Sequence, residues 1–190
     1  MWFPDTKMGS SNSTVTELSK IGLATAVTCI LSPIAIMLPF SPVPISLGLF
    51  AIMLSSLLLG ARIGCFTCLI YLLLGAVGLP VFSGFSGGIG ILLGPGGGYL
   101  IGYLFIPVCL FPFGDIYKKS FLYILPGLFI GLFICYLAGS FWLSHEMNLS
   151  CQEAFLIGVL PYLPMDIIKI FLAYTLSKKL RYRLTKANLI

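Results

Sequence analysis

Apolar residues fall into six long runs, separated by short connections that are either polar or rich in glycine and proline. A helix needs about 20 mostly apolar residues to cross the hydrocarbon core of a bilayer. The pattern therefore predicts six membrane-spanning helices, although the short second and third runs leave a five-span alternative open. The predicted spans are Ile21–Leu38, Ile45–Leu59, Ile63–Leu79, Gly97–Phe113, Phe121–Leu143 and Ala154–Leu176.

Basic residues are confined to one side of this six-span arrangement. Ten of the eleven Lys and Arg residues precede the first span, follow the last, or lie between spans two and three or four and five. By the positive-inside rule both termini are cytoplasmic, whereas five spans would place the basic tail on the opposite side. We expect a single membrane domain, 1–190, with a cytoplasmic N-terminal segment, 1–20, and a basic cytoplasmic tail, 177–190, on anionic lipid headgroups.

Composition and motifs restrict the possible functions. The chain is 58% apolar and 9% charged, against about 25% charged in ordinary soluble domains, which excludes a large soluble catalytic domain and a nucleic-acid binder. The sequence contains no G-x-x-x-x-G-K-[ST] phosphate loop. An intramembrane enzyme would need a nucleophile–base pair or a metal cluster, and a single histidine, His145, with scattered cysteines argues against both. We therefore expect no metal, no cofactor and no catalytic activity.

Two outer loops have unusual compositions. The segment Leu38–Pro44 contains three prolines, which predict an extended and stiff entry to the second span. The segment Leu79–Gly98, between the third and fourth spans, is too apolar for a free solvent loop and too rich in glycine for a helix. Irregular backbone at membrane depth survives when it lines a cavity. We expect its N–H groups and the hydroxyls of Ser83 and Ser86 to bind an anionic or hydrogen-bonding solute, whose apolar part Phe82 and Phe85 would bracket.

Asp166 and Lys169 are the only Asp, Glu, Lys or Arg residues in the interior of a predicted span. Each charge costs about 2.5–3.5 kcal/mol when it faces lipid at the bilayer centre. Residues three apart share a helix face and can neutralise each other, and Tyr162 and Ala173 continue the same face. Pro161 and Pro164 interrupt the helical hydrogen bonds just before the pair.

The pair favours a polar solute site over two alternatives, a structural ion bridge and a proton or ion relay. A structural bridge is the weaker explanation because hydrophobic replacements of a buried pair are often as stable. A carboxylate accepts from N–H donors and an ammonium donates to a carbonyl. Together they suit a neutral solute that carries both groups, such as an amide, a urea or a purine-like edge.

Small residues at a four-residue spacing predict close helix contacts inside the membrane. Gly98 with Gly102, and Gly127 with Gly131, predict packing within one bundle. Gly22 and Ala26 on the first span leave a smooth face that can meet another protein.

Several motifs, in order along nearly the whole chain, resemble those of the BioY family of biotin transporters, the biotin-specific substrate-binding (S) components of energy-coupling factor (ECF) transporters. The motifs are Val43-Pro-Ile-Ser-Leu, Leu58-Leu-Gly-Ala-Arg-Ile-Gly, Tyr71-Leu-Leu-Leu-Gly-Ala-Val-Gly-Leu-Pro-Val-Phe, Gly94-Pro-Gly-Gly-Gly-Tyr-Leu-Ile-Gly and Pro164-Met-Asp-Ile-Ile-Lys.

The resemblance implies an all-α bundle of six transmembrane helices in the cell membrane, the inner membrane of a bacterium, that binds biotin from the outside. It assigns Asp166 and Lys169 to the biotin head group and the segment Phe82–Gly90 to a lid over the pocket. It also implies docking through Gly22 and Ala26 on a transmembrane coupling subunit that carries two ATPases. Alternatives are a component for another vitamin, a solo carrier or oligomer, and a proton-coupled carrier. The site residues predicted in all are Ser46, Phe82, Ser83, Gly84, Phe85, Ser86, Gly87, Gly88, Tyr99, Tyr162, Asp166 and Lys169.

Three positions depart from the usual family pattern. Gly48 stands where the family usually has Gln, Gly96 where it has Thr, and Gly84 near a common Asn. Fewer polar anchors for the ligand follow from these departures, whereas the Asp–Lys pair is retained.

Overall fold

The computed structural model describes residues 8–39, 41–114, 116 and 119–187, and it is mostly helical. Lys7 and Lys118, part of the predicted basic side, lie outside the described residues. The elements, in chain order, are α1 Met8–Leu31, β1 Ala35–Leu38, β2 Ser41–Ser46, α2 Gly48–Leu59, α3 Ala61–Ala76, α4 Ile89–Leu93, α5 Gly97–Gly102, α6 Phe105–Leu110, a 3₁₀ turn Phe111–Phe113, α7 Phe121–Met147, α8 Cys151–Gly158 and α9 Leu163–Lys186.

In chain order, the six predicted apolar runs correspond to α1, α2, α3, α5 with α6, α7, and α8 with α9. Within the described residues, α1 and α7 are each long and apolar enough to cross a membrane, and α8 with α9 forms a third candidate span that bends by 50°. Helix α2, helix α3 and the segment Gly97–Phe113 are shorter apolar helices. These features define a helical membrane protein, and the crossing of all six segments stays a proposal.

A β-hairpin corrects the all-helical prediction. Helix α1 ends at Leu31, before Pro33, and β1 pairs with β2 in antiparallel register, Ala35 opposite Ser46 and Leu38 opposite Ser41. The apolar residues Ala35–Leu38 therefore belong to a strand rather than to the end of the first span. Proline 33 disfavours helix at the preceding residue, and the prolines of β2 keep the chain extended, as predicted.

Four further features differ from the prediction. The fourth run is divided into α5, α6 and the 3₁₀ turn. The last run is broken between Gly158 and Leu163, where Pro161 interrupts the helical hydrogen bonds. The terminal segments continue the helices, since α1 begins at Met8 and α9 continues to Lys186. The glycine-rich segment contains the short helix α4, which the sequence analysis had excluded.

The predicted basic loops meet at one end of the bundle. Arg62 Nη1 lies 4.0 Å from Glu17 Oε1 on α1. Near the C-terminus of α9, Arg181 donates to the Leu58 carbonyl (2.8 Å) and Lys178 donates to the Lys119 carbonyl (3.2 Å). We call this the basic end.

The hairpin and the glycine-rich segment meet at the opposite end. The Gly84 amide donates to the Pro33 carbonyl (3.0 Å), and Trp142 Nε1 on α7 donates to the Gly94 carbonyl (3.0 Å). The irregular loops therefore form one structure at the end away from the basic residues.

Glycines allow α5 and α6 to pack closely on α7, as their spacing predicted. A Cβ atom at Gly98 would overlap Trp142, and one at Gly131 would lie 2.8 Å from the Ile106 Cα. The fully buried residues Leu128 of α7 and Ile170 and Ala173 of α9 belong to one hydrophobic core.

Candidate solute-binding site

The buried pair on α9 forms the floor of the site. Asp166 is 4% exposed and Lys169 is 8% exposed. Lys169 Nζ donates to Asp166 Oδ1 (2.8 Å), and the Tyr136 hydroxyl of α7 donates to Asp166 Oδ2 (2.5 Å). Asp166 lies in the first turn of α9, where the positive end of the helix dipole stabilises a carboxylate. Both charges therefore face the protein interior and not lipid.

A small polar cavity of about 30 Å³ adjoins this pair. A cavity needs about 10–15 Å³ for one water molecule, so this space holds only a small polar group. Its lining comes from β2, α2, α5, α7, α8 and α9 and from the connections that follow α5 and precede α9: Val43, Pro44, Ile45, Ser46, Leu49, Tyr99, Tyr103, Cys135, Tyr136, Gly158, Tyr162, Asp166 and Lys169. We call it the floor pocket.

A larger cavity of about 360 Å³ lies above the floor pocket, between the hairpin and the glycine-rich segment. Ligand pockets measure about 300–1,000 Å³, so this space suits one small molecule. We call it the vestibule. Val43, Pro44, Tyr99 and Tyr103 line both cavities. The two cavities together form one site with a charged floor and a largely apolar upper part.

The structure brings most of the predicted site residues to this site. The floor pocket is lined by Ser46, Tyr99, Tyr162, Asp166 and Lys169. The vestibule is lined by Phe82, Ser83, Gly84, Ser86 and again Tyr99.

Phe85, Gly87 and Gly88 are absent from the described linings of both cavities. Phe85 is 71% exposed. A Cβ atom at Gly87 would overlap the Leu79 carbonyl, and the Gly88 amide donates to the Gly75 carbonyl (2.7 Å). Contact of these three residues with a solute stays a prediction, and so does the bracketing of the solute's apolar part by Phe85. The contacts of Gly87 and Gly88 are instead with the backbone of the loop and of α3.

The glycine-rich segment forms a closed turn against α3. The Phe82 amide donates to the Ser86 carbonyl (2.9 Å), and the Ser86 hydroxyl donates to the Ser83 carbonyl (2.8 Å). The Phe82 ring is fully buried, packs edge-on to Tyr71 with centroids 5.4 Å apart, and would overlap a Cβ atom at Gly75. Phe82 therefore anchors this turn as well as lining the vestibule.

Two tyrosines give the site polar groups that the sequence analysis missed or left without a role. Tyr136 was missed because a tyrosine in an apolar run carries no signal of its own, yet it donates to Asp166. The Tyr99 hydroxyl is buried and has no hydrogen-bond partner among the described residues. The nearby Ser140 hydroxyl donates instead to the Tyr136 carbonyl (2.7 Å). A buried unpaired hydroxyl is costly, and a bound solute can relieve that cost.

The predicted docking residues Gly22 and Ala26 lie on the exposed face of α1. A Cβ atom at Gly22 would meet no atom within 4 Å, unlike those at Gly98 and Gly131. Their role in docking stays a prediction.

Tyr162 fastens the hairpin to the start of α9. Its hydroxyl donates to the Val43 carbonyl and lies 2.7 Å from Ser41 Oγ. Replacing Tyr162 by Phe removes both contacts and leaves the Val43 carbonyl unpaired, which costs about 1–3 kcal/mol. We expect solute affinity to fall about tenfold, mainly through a faster dissociation rate, because β2 lines both cavities. Stopped-flow dissociation measures this, and an unchanged rate would contradict the role of the hairpin.

The fold and the site define a helical membrane protein with a cavity of a size for one small solute, away from the basic end of the bundle. Residues 6–186 match the BioY family model. The chain is 38% identical to the probable biotin transporter BioY of Pyrococcus horikoshii, over 87% of this chain and 96% of the relative. It is 35% identical to the biotin transporter BioY of Thermotoga maritima, over 87% and 95%.

A solved structure shows the same fold. The crystal structure of the S-component for biotin from an ECF-type ABC transporter superposes with a TM-score of 0.82 at 31% identity, covering 91% of this chain and 94% of that one. The chain belongs to the BioY family.

Proposed function

We propose that this protein binds biotin at the end opposite its basic residues and mediates biotin uptake as the S component of an ECF-type transporter. The names of its relatives and the S-component structure support this assignment. The observation that carries it is the buried Asp166–Lys169 pair at the floor of a cavity that suits one small molecule.

The chemistry of the floor fits the head group of biotin. The ureido ring of biotin carries two N–H donors and one carbonyl acceptor. Asp166 accepts from the N–H groups and Lys169 donates to the carbonyl, so a ligand can share the charges that the two residues now direct at each other. The floor pocket admits only a small group without side-chain movement. Entry of the ureido ring therefore requires Tyr136 and Lys169 to yield part of their contact with Asp166.

Energy for uptake comes, in this proposal, from partner proteins. The sequence contains no phosphate loop, so a transmembrane coupling subunit and two ATPases supply the driving force. The exposed small residues Gly22 and Ala26 on α1 form the proposed docking face for that subunit. Uptake by a homo-oligomer without these partners is the alternative, and it would survive ATP depletion.

The proposed location is the plasma membrane, with six spans and both termini in the cytoplasm. Cys151, at the start of α8, is exposed and lies on the predicted outer side. We expect a membrane-impermeant maleimide to label it in spheroplasts, whose plasma membrane is intact, and the Cys151→Ser variant to lose that labelling. Labelling of Cys151 only in inside-out vesicles would contradict this orientation.

Equilibrium binding of labelled biotin to the detergent-purified protein tests the function. We expect saturable binding at one site per chain, with no displacement by equimolar thiamine or riboflavin. Displacement by either vitamin at a concentration comparable to biotin would assign the protein to another solute. In vesicles with the partner subunits, uptake that follows a proton gradient but not ATP would contradict the ECF assignment.

A further inference from the structure

The vestibule offers no positive charge to a ligand. Among the described residues that line it there is no Lys, Arg or His, and its described polar side chains are hydroxyls, such as those of Ser83 and Tyr103. The cation that lines the connected floor pocket is Lys169, and it is 2.8 Å from Asp166. A carboxylate in the vestibule therefore lacks a side-chain counterion.

The vestibule opens to the surface between the hairpin and the glycine-rich segment. Met37 is 68% exposed on the hairpin, and Gly84, Gly90 and Ile91 are exposed on the opposite rim. A Cβ atom at Gly84 would lie 3.3 Å from the flexible Met37 methyl, whereas one at Gly90 would meet nothing within 4 Å. The mouth is thus bordered by the flexible side chain of Met37 and by glycines, and an extended group can pass through it.

The floor fixes which end of the ligand lies at this mouth. Biotin has a ureido ring at one end and a valeric carboxyl group at the other. Asp166 repels a carboxylate and accepts N–H donors, so the ring lies at the floor and the carboxyl group at the mouth. There it meets water and neutral groups, and its charge contributes little to binding.

We infer that the site accepts biotin whose carboxyl group is capped as an amide as well as it accepts free biotin. The inference rests on the proposed function, and it widens the ligand class to carboxyl-conjugated biotin, including biotin joined to the side-chain amine of lysine. Selectivity then comes from recognition of the ureido ring, and the site does not distinguish a free from a capped carboxyl group.

Competition against labelled biotin on the purified protein tests this inference. Biotinamide has nearly the shape of biotin without its charge, and biotinyl-lysine adds a long extension that must pass the mouth. We expect each to bind within about fivefold of biotin. Loss of a hydrogen-bonded charge from a ligand lowers its affinity about tenfold or more. An affinity for biotinamide that is lower than that for biotin by this much would therefore overturn the inference. A larger loss for biotinyl-lysine alone would overturn the open mouth. Free biotin is measured in the same assay, so failure of the proposed function would appear separately as no binding of biotin.

A variant at the rim checks the orientation of the ligand. Gly90→Lys adds a cation at the mouth, where the Cβ atom has space, and Gly90→Gln is the uncharged control of similar length. We expect the Lys variant to favour biotin over biotinamide by about threefold, the size of an exposed ion pair, while the Gln variant keeps the wild-type ratio. An unchanged ratio in the Lys variant would contradict a carboxyl group at the mouth.

Discussion

Replacement of Asp166 by Asn is expected to weaken biotin binding at least 100-fold. Asn is nearly isosteric but uncharged, so the strong hydrogen bonds to an ionised acceptor, each contributing about 1.5–3 kcal/mol, are lost. The substitution also leaves the buried Lys169 ammonium without its partner at 2.8 Å. Removal of one member of a buried pair costs about 3–5 kcal/mol of stability, so we also expect a lower melting temperature.

A double variant separates the loss of binding from the loss of stability. Asp166→Asn with Lys169→Met removes both charges and therefore relieves the unpaired ammonium. We expect its melting temperature in detergent to recover most of the way to wild type while biotin binding stays lost. Recovery of binding together with stability would show that the pair only supports the fold. Wild-type affinity in the single variant would contradict its place in the site.

Gly75→Ala is expected to lower both stability and biotin affinity although residue 75 lies outside the described linings of both cavities. Its Cβ atom would overlap the ring of Phe82, which is fully buried against Tyr71. Overpacking of this kind costs about 1–3 kcal/mol. Because Phe82 both anchors the glycine-rich turn and lines the vestibule, its displacement reshapes the cavity wall, and we expect an affinity loss of about tenfold.

Gly22→Ala is the matched control for this effect. It makes the same chemical change on an equally helical segment, but the added Cβ atom meets no atom within 4 Å. We expect unchanged biotin affinity and a melting temperature no lower than wild type. The proposed role of Phe82 would be contradicted if Gly75→Ala behaved like this control in thermal unfolding and binding measurements on the purified protein.

The apolar pattern predicted the helices well because a bilayer core imposes one length and one polarity on every segment that crosses it. The hairpin was missed because the short apolar run 34–38 reads equally well as the end of a helix or as a buried strand. Pro33 carried the signal that separates them. Pro161 and Pro164 indicated the break between α8 and α9, whereas the bend of 50° depends on tertiary packing that cannot be inferred from the sequence.

The floor of the site was predictable from its charges. The free-energy cost of placing an unpaired Asp166 or Lys169 in lipid is high, so both side chains were expected to face the protein interior. The tertiary contacts of the site were not predictable in the same way. Tyr136 and Ser41 are bound to site residues by hydrogen bonds across 30 and 121 positions of sequence. In the glycine-rich segment, composition indicated a cavity but not which backbone groups the turn itself would occupy. Gly88 is one such case, since its amide is bonded to Gly75.

The long final helix also limits how a solute can leave the protein. Asp166 and Arg181 are 15 positions apart on α9, about 22 Å at 1.5 Å per residue. With Arg181 taken as the inner edge in the proposed orientation and a hydrocarbon thickness of about 30 Å, a solute at Asp166 would have crossed roughly a quarter of the apolar barrier. Ile170 and Ala173, about one and two turns beyond Asp166 on α9, and Leu128 of α7 are each at most 1% exposed and belong to one packed core. In the proposed orientation, release to the cytoplasm therefore requires either a rearrangement of the helices or a change in the position of the whole bundle relative to the bilayer.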